Sequence, residues 1–109
     1  MITVSVYMTK LIINGFTVDG HSDYSEAGID IVCAAVSILS YTALNSINLV
    51  AGIEPENINY SVDDETGFMS LRTLVNNDKA DVIYRSFIVG IELLLEDYGE
   101  YITLKFEEV

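Results

Sequence analysis

The stretch GHSDYSEAGIDIVCAAVS, residues 20–37, separates a strand-forming N-terminal segment from an apolar helix. It contains the only histidine of the chain, His21, and the only cysteine, Cys33. Small and polar residues lie between them, and an apolar run covers residues 29–39. The pattern predicts a glycine-bounded loop followed by a helix that begins close to the cysteine.

The segment before this stretch has the alternating pattern of β-strands. Residues 2–8 place every second, apolar side chain on one face, which is typical of a half-buried strand. Residues 11–18 predict a second strand, with a turn at Thr9-Lys10 and with Gly15 at a bulge inside the strand. A turn at Asn14-Gly15 is the alternative, but it would leave short strands.

The apolar run predicts a first helix with Asp30 as its N-cap, extending to about Val50 and stopping at Gly52. Its apolar residues cover more than one stripe of a helix, so we expect burial on most sides. These residues are Ile31, Val32, Ala35, Val36, Leu39, Ala43, Ile47 and Val50.

The remainder of the chain alternates strands and a second helix. Residues 57–63 and 68–74 predict two strands joined by a glycine-containing turn, 79–98 a helix, and 101–106 a last strand. The order ββαββαβ predicts an α+β fold, with a mostly antiparallel five-stranded sheet packed against two long helices. At 109 residues, we expect a single domain over 1–109.

The charge is strongly acidic, with a formal net charge of −12 from 17 acidic and 5 basic residues. This balance argues against direct nucleic-acid binding, which relies on lysine and arginine at the phosphates. It suits a basic partner, although acidic surfaces also keep many cytosolic proteins soluble. The single cysteine fits a reducing cytosol, and the apolar run is about half a membrane span. We therefore expect a cytoplasmic protein without a membrane segment.

His21 and Cys33 are a candidate thiol–imidazole pair. A cysteine attacks as its thiolate, which a helix N-terminus and a nearby imidazolium both stabilise. If the helix begins near Asp30, its N-terminus is close enough to stabilise the thiolate of Cys33. If the loop folds back, His21 can supply the imidazolium. The loop formed by Ser22, Asp23, Tyr24, Ser25, Glu26, Ala27 and Gly28 is predicted to act as a gate for a substrate chain.

Helical spacing adds Asp30 and Ser37 to the face of Cys33, since they lie three residues before and four residues after it. Asp30 can orient His21 or simply cap the helix, and Ser37 can bind the thiolate, the substrate or a helix carbonyl. A lone cysteine in an apolar helix is more often a core residue. Structural zinc needs four ligands, and only two candidates exist, so no metal or other cofactor is predicted.

The elements Gly20-His21 and Gly28-x-Asp30-Ile31-Val32-Cys33-Ala34-Ala35-Val36-Ser37 resemble the signature of the ribosomal-processing cysteine proteases called Prp. Length and element order are also similar to that family. The resemblance implies that Cys33 is the nucleophile and His21 the general base, with Gly20, Asp30 and Ser37 in supporting positions. Ser22 replaces the usual alanine, and Ile29 stands where the family often has a charged residue.

The resemblance also implies a reaction and its partners. The expected reaction is removal of the N-terminal extension of the large-subunit ribosomal protein L twenty-seven, a basic precursor, by a homodimeric enzyme. The alternative is a non-catalytic acidic protein that binds a basic ribosomal partner during assembly. A purely structural domain with a buried Cys33 is a third possibility.

Overall fold

In the part of the chain that the structure describes, five strands and two long helices follow one another in the predicted order ββαββαβ. The computed structural model describes residues 1–20 and 27–109, and the side chains of α1 from Asp30 onward. The elements are β1 (Ile2–Thr9), β2 (Ile12–Asp19), α1 (Ala27–Leu49), β3 (Ile58–Asp63), β4 (Phe68–Thr73), α2 (Asp78–Tyr98) and β5 (Ile102–Glu108), with a short 3-10 turn at Pro55–Asn57.

The five strands form one sheet in the order β3-β4-β2-β1-β5. The pair β1–β5 is parallel, and the other three pairs are antiparallel, which confirms the mostly antiparallel sheet. The edge strands are therefore β3 and β5.

The β1–β2 hairpin contains the predicted bulge. Tyr7 pairs with Gly15 and Met8 with Ile13, so Asn14 is the extra residue. A Cβ on Gly15 would overlap the Leu71 carbonyl oxygen of the neighbouring strand, so only glycine fits there. The hairpin turn itself contains Lys10, which has φ of 59°.

Both helices cover one face of the sheet. Phe16 at the centre of β2 stacks on Phe87 of α2 at 4.0 Å between ring centroids and meets Tyr84 edge-on at 6.3 Å. The opposite face is polar: the Tyr7 hydroxyl lies 3.1 Å from the Thr17 hydroxyl, and the Arg72 guanidinium lies 4.3 Å above the Tyr7 ring. The fold is thus a two-layer sandwich with one apolar interior.

The first helix is buried on one side only, so the expected burial on most sides is wrong. Val32 and Val36 are buried against the sheet, whereas Ile31 and Ile38 are exposed by 55% and 64%. The reason is topological: α1 and α2 share one sheet face, and nothing in the described chain covers their outer surface.

The segment Asp30–Leu49 is long and apolar enough to cross a membrane by length and composition, with a mean hydropathy of 1.4. The core helix of a soluble protein passes the same test, and Val36 and Ile47 of this segment are packed in the core.

Candidate active site

Cys33 lies on α1, in its second turn, because the helix begins at Ala27 rather than at Asp30. Asp30 is consequently a residue of the first turn and not the N-cap, which corrects the sequence-based expectation. Helix geometry leaves only the first four N–H groups without intrahelical acceptors, so these groups precede Cys33. The thiol therefore lies one turn further from the helix start than the sequence indicated.

The side chain of Cys33 is half-buried and packs against the hydrophobic core. Asp30 and Ser37 are exposed on the same helix face, three residues before it and four residues after it. Side chains at these spacings are neighbours on a helix surface, with about 5–6 Å between Cβ atoms. The structure thus brings Asp30, Cys33 and Ser37 together.

Gly20 ends β2 in a conformation that favours glycine, with φ of 113°. A Cβ on this residue would also overlap the Met1 carbonyl oxygen. Both facts make glycine the fitting residue at the point where the chain leaves the sheet. This gives a physical reason for the glycine directly before His21.

The general base and most of the predicted gate lie outside the described residues. His21, Ser22, Asp23, Tyr24, Ser25 and Glu26 belong to this part of the chain. Ala27 and Gly28, which were expected in the gating loop, are the first residues of α1. The predicted loop is therefore shortened at its C-terminal end.

A cleft of about 120 Å³ opens beside the nucleophile helix, one helical turn beyond Cys33. Its walls come from the end of β2, the third and fourth turns of α1, and the β3–β4 hairpin. The lining residues are Val18, Val36, Ser37, Ser40, Tyr41, Val62, Asp63, Asp64, Gly67, Phe68 and Met69. The cleft combines an apolar interior with two carboxylates.

Sequence reasoning missed most of this lining. Tyr41 lies four residues after Ser37, so the helical spacing that identified Ser37 also places Tyr41 on that side of α1. Val62 and Asp63 are about thirty positions away from Cys33 along the chain, and no local pattern links them to it. Only the pairing of β4 with β2 brings their hairpin to α1.

Titratable and metal-binding groups elsewhere add little to the site. Burial raises the pKa of Tyr84 to about 12, although its hydrogen bond with Thr73, at 3.0 Å, opposes the shift. Tyr84 belongs to the core under α2. Within residues 1–20 and 27–109, no three His, Cys, Asp or Glu side chains gather as a metal site would require.

Comparison with known proteins identifies close relatives. The family model described as "Cysteine protease Prp" matches residues 1–103. The "Ribosomal processing cysteine protease Prp" of Staphylococcus aureus is 34% identical over 90 residues, covering 82% of each chain. The crystal structure of the S. aureus protease with a substrate peptide is 31% identical and has a TM-score of 0.84, over 98% of this chain and all of the other. A second structure of that protease, with a covalently linked product peptide, is 32% identical with a TM-score of 0.81 over the same shares.

Proposed function

The chain belongs to the cysteine protease Prp family and is a cysteine protease, and we propose that it removes the N-terminal extension of ribosomal protein L twenty-seven through a Cys33 thiolate activated by His21. The observation that carries the proposal is the position of Cys33: a half-buried thiol on α1, one turn from an open cleft. A fully buried core cysteine would have favoured the structural alternative.

The proposed reaction proceeds in two stages. His21 accepts the thiol proton, and the thiolate attacks the scissile carbonyl carbon to form a tetrahedral oxyanion. When the C–N bond breaks, His21 returns the proton to the leaving amine, and a thioester to Cys33 remains. Water, deprotonated by His21, then hydrolyses the thioester and releases the acid and the free thiol. The covalently linked product peptide of the S. aureus relative supports this covalent route.

The surroundings of Cys33 support auxiliary roles for its neighbours. Asp30 is near enough along the helix face to orient an imidazole that approaches Cys33, and Ser37 lies where the cleft begins. The N–H groups of the first turn of α1 are donors for the oxyanion, reinforced by the positive end of the helix dipole. Gly20, which directly follows β2 and precedes His21 in the sequence, has a backbone conformation that favours glycine.

The proposed substrate is a basic precursor, and the charge of this chain supports that choice. A net charge of −12 attracts a lysine- and arginine-rich protein over long range and accelerates their encounter. The name of the S. aureus relative links the family to ribosomal processing. We propose no direct contact with nucleic acid or membrane, and a cytoplasmic location, where the nascent ribosomal protein is found.

The proposed enzyme is a homodimer. Exposed apolar side chains on the outer surfaces of α1 and α2, namely Ile31, Ile38, Val82, Val89 and Leu93, offer an apolar surface for such association. Sedimentation equilibrium at several protein concentrations tests this part separately, because a mass of one chain at all concentrations would contradict it.

The decisive experiment incubates the purified protein with the extended precursor and follows the mass of the precursor by mass spectrometry. We expect one cleavage, abolished in Cys33→Ala and in His21→Ala. A conservative change on the same helix, Thr42→Ala, should leave the cleavage rate unchanged, because Thr42 is exposed and lies outside the cleft. An uncut precursor that binds the wild-type protein tightly would contradict the proposal.

Alkylation by iodoacetamide at pH 7 tests the thiol–imidazole pair without any substrate. His21→Ala should slow the alkylation of Cys33 if His21 stabilises the thiolate. Equal alkylation rates in the wild-type and variant proteins would remove His21 from the mechanism.

A further inference from the structure

A continuous furrow runs along α1 beside the edge strand β3 and begins one turn after Cys33. The cleft of about 120 Å³ forms its inner end. A second groove, of about 360 Å³, forms its outer end and is lined by Tyr41, Leu44, Asn45, Asn48, Leu49, Pro55, Ile58, Tyr60 and Val62. Tyr41 and Val62 line both, so the two grooves are joined.

The dimensions of the furrow match an extended peptide. Ser37 to Asn48 is eleven residues of helix, or about 16 Å at 1.5 Å per residue. An extended chain rises about 3.3 Å per residue, so about five residues fit. Cys33 lies about 6 Å before Ser37 along the axis, which puts the inner cleft within about two residues of a bond held at the thiol.

One wall of the furrow is an unpaired strand edge. Within residues 1–20 and 27–109, β3 pairs only with β4, and its residues from Asn59 to Asp63 are exposed. An edge strand presents N–H and C=O groups to which an extended peptide can add as a further strand. Tyr60, exposed by 64%, and Val62, exposed by 37%, offer side-chain contacts on the same wall.

The lining specifies the chemistry of the occupant. The inner cleft has a mainly apolar interior, and its volume is close to the roughly 150 Å³ of a cavity that holds benzene, so it accepts one apolar side chain. Asp63 and Asp64 line the same cleft, and Glu54 and Glu56 flank the Pro55 end of the furrow. Carboxylates at both ends favour lysine or arginine in the rest of the peptide.

We propose that this furrow is the substrate-binding site, in which an extended basic peptide lies between α1 and β3 with an apolar side chain in the inner cleft, and that Tyr41, Val62 and Asp64 determine specificity. This rests on the proposed protease function of Cys33. Tyr41 and Val62 set the size of the inner cleft. Asp64 recognises a basic residue, whereas Asp63 also holds the hairpin turn, since its Oδ1 accepts from the Glu65 N–H at 3.0 Å.

The test compares kcat/KM of wild-type protein, Val62→Phe, Tyr41→Ala and Asp64→Asn on synthetic peptides spanning the precursor junction. Each position within two residues of the cleaved bond carries Ala, Val, Leu or Phe in turn, and a flanking residue carries Lys or Gln. All three variants change exposed side chains, so the fold should tolerate them.

We expect the following shifts. Val62→Phe narrows the cleft and lowers kcat/KM for Leu and Phe peptides at one position at least tenfold relative to the Ala peptide, mainly through KM. Tyr41→Ala shifts the preference toward the larger side chain. Asp64→Asn lowers the Lys-over-Gln preference several-fold and weakens its salt dependence. Two matched changes lie away from the furrow and should keep wild-type ratios: Val109→Phe, after β5 at the opposite edge of the sheet from β3, and Glu96→Gln on α2.

A binding arm separates this proposal from the protease function. Fluorescence anisotropy of the labelled junction peptide with the Cys33→Ala protein measures binding without cleavage, and adding Val62→Phe should weaken that binding at least tenfold. Peptides that the wild-type protein leaves uncut but binds in a Val62-dependent manner would refute the proposed cleavage. The same result would support the furrow as a peptide-binding site. Wild-type preference ratios in all three variants, with binding unaffected by Val62→Phe, would overturn the furrow as the substrate site.

Discussion

The two helices of this fold are similar in length and share one sheet face, yet they differ in the side chains that pack them against the sheet. α2, with 21 residues, has a side-chain cap: Asn77 Oδ1 accepts from the Ala80 N–H at 2.8 Å. Its buried side includes the aromatic rings of Tyr84 and Phe87. α1, with 23 residues, contacts the sheet through smaller side chains such as Val32, Val36 and Ala43.

The two helices have different roles in the fold. α2 supplies large rings to the core, while α1 carries Cys33 and one wall of the furrow. The buried side of α1 packs on the sheet, and the side with Ser37 and Tyr41 remains open to a substrate. Changes on the buried side of α2 should therefore reduce stability, and changes on the side of α1 that carries Cys33 and lines the furrow should reduce activity.

The largest expected effect is on activity and comes from α1. Cys33→Ala should lower the cleavage rate at least about 10³-fold, because the thiolate forms the covalent intermediate. The free energy of unfolding should change by less than about 1 kcal/mol, since the substitution removes one half-buried sulfur. Cleavage assays and urea denaturation measure the two quantities. A variant that still cleaves would show that the nucleophile lies elsewhere.

The opposite effect is expected in α2. Phe87→Ala removes a buried ring that stacks on Phe16, and should lower the free energy of unfolding by about 3–5 kcal/mol. Val89→Ala, at an exposed position of the same helix, is the matched control and should cost less than about 1 kcal/mol. Urea denaturation provides the comparison, and a similar cost at both positions would contradict the anchoring role of α2.

Alkaline pH provides a second test of the anchoring of α2. The pKa of Tyr84 is raised by burial from 10.0 to about 12, so the folded state keeps a proton that the unfolded chain loses. This contribution to stability is complete below pH 10 and is lost as the pH rises towards 12, by about 2–3 kcal/mol. Between pH 9 and pH 11.5, the free energy of unfolding should therefore decrease less in Tyr84→Phe than in the wild-type protein. Urea denaturation at the two pH values measures this difference. Equal decreases in both proteins would contradict the effect of burial.

Gly20 is the residue that directly follows β2 and precedes His21 in the sequence. Gly20→Ala should destabilise the protein by about 1–3 kcal/mol, because a side chain is strained at this φ and overlaps Met1. Gly52→Ala has the same backbone strain, with φ of 72°, but no atom within 4 Å of the new Cβ. Thermal unfolding should show the smaller loss for Gly52, and cleavage should decrease only in the Gly20 variant.

The smallest expected effect concerns the cap of α2. Asn77→Ala should cost about 1–2 kcal/mol, because the Ala80 N–H loses its acceptor. Asn77→Asp keeps an acceptor for the Ala80 N–H but loses the bond from Nδ2 to the Ala51 carbonyl. Its stability should therefore lie between that of the wild-type protein and that of Asn77→Ala. On α1, Asn45 also bonds a helix carbonyl, at 2.8 Å to Tyr41, yet Asn45→Ala should cost less than about 0.5 kcal/mol because the bond is exposed. Urea denaturation of the three variants tests this order.

Much of the fold could be predicted from local chemistry. The alternation in β1, the bulge before Gly15 and the Asn77 cap all follow from nearby residues, and the structure confirms the order of the elements. The start of α1 could not be read correctly, because Asp30 is a favoured cap residue and yet lies inside the first turn. The exposure of Ile31 and Ile38 also escaped prediction, since it depends on which side of α1 meets the sheet.

The candidate site was also predictable only where local sequence patterns determine it. Asp30, Cys33 and Ser37 share a face through helical spacing, which a sequence reveals directly. The furrow is formed by residues distant in sequence, and Val62 reaches α1 only because β4 pairs with β2. The role of His21 stays a prediction, since this residue lies outside the described part of the chain.

The parallel pair β1–β5 has a consequence for the synthesis of the protein. The Ile2 N–H donates to the Tyr101 carbonyl at 2.8 Å, so the first strand receives its outer neighbour only from the last part of the chain. At roughly 5–20 residues per second, translation separates the two strands by roughly 5–20 s. During that interval the outer edge of β1 is unpaired, and a new chain is most exposed to pairing with another copy. Nascent chains of this enzyme should therefore aggregate more readily when ribosomes pause late in the message.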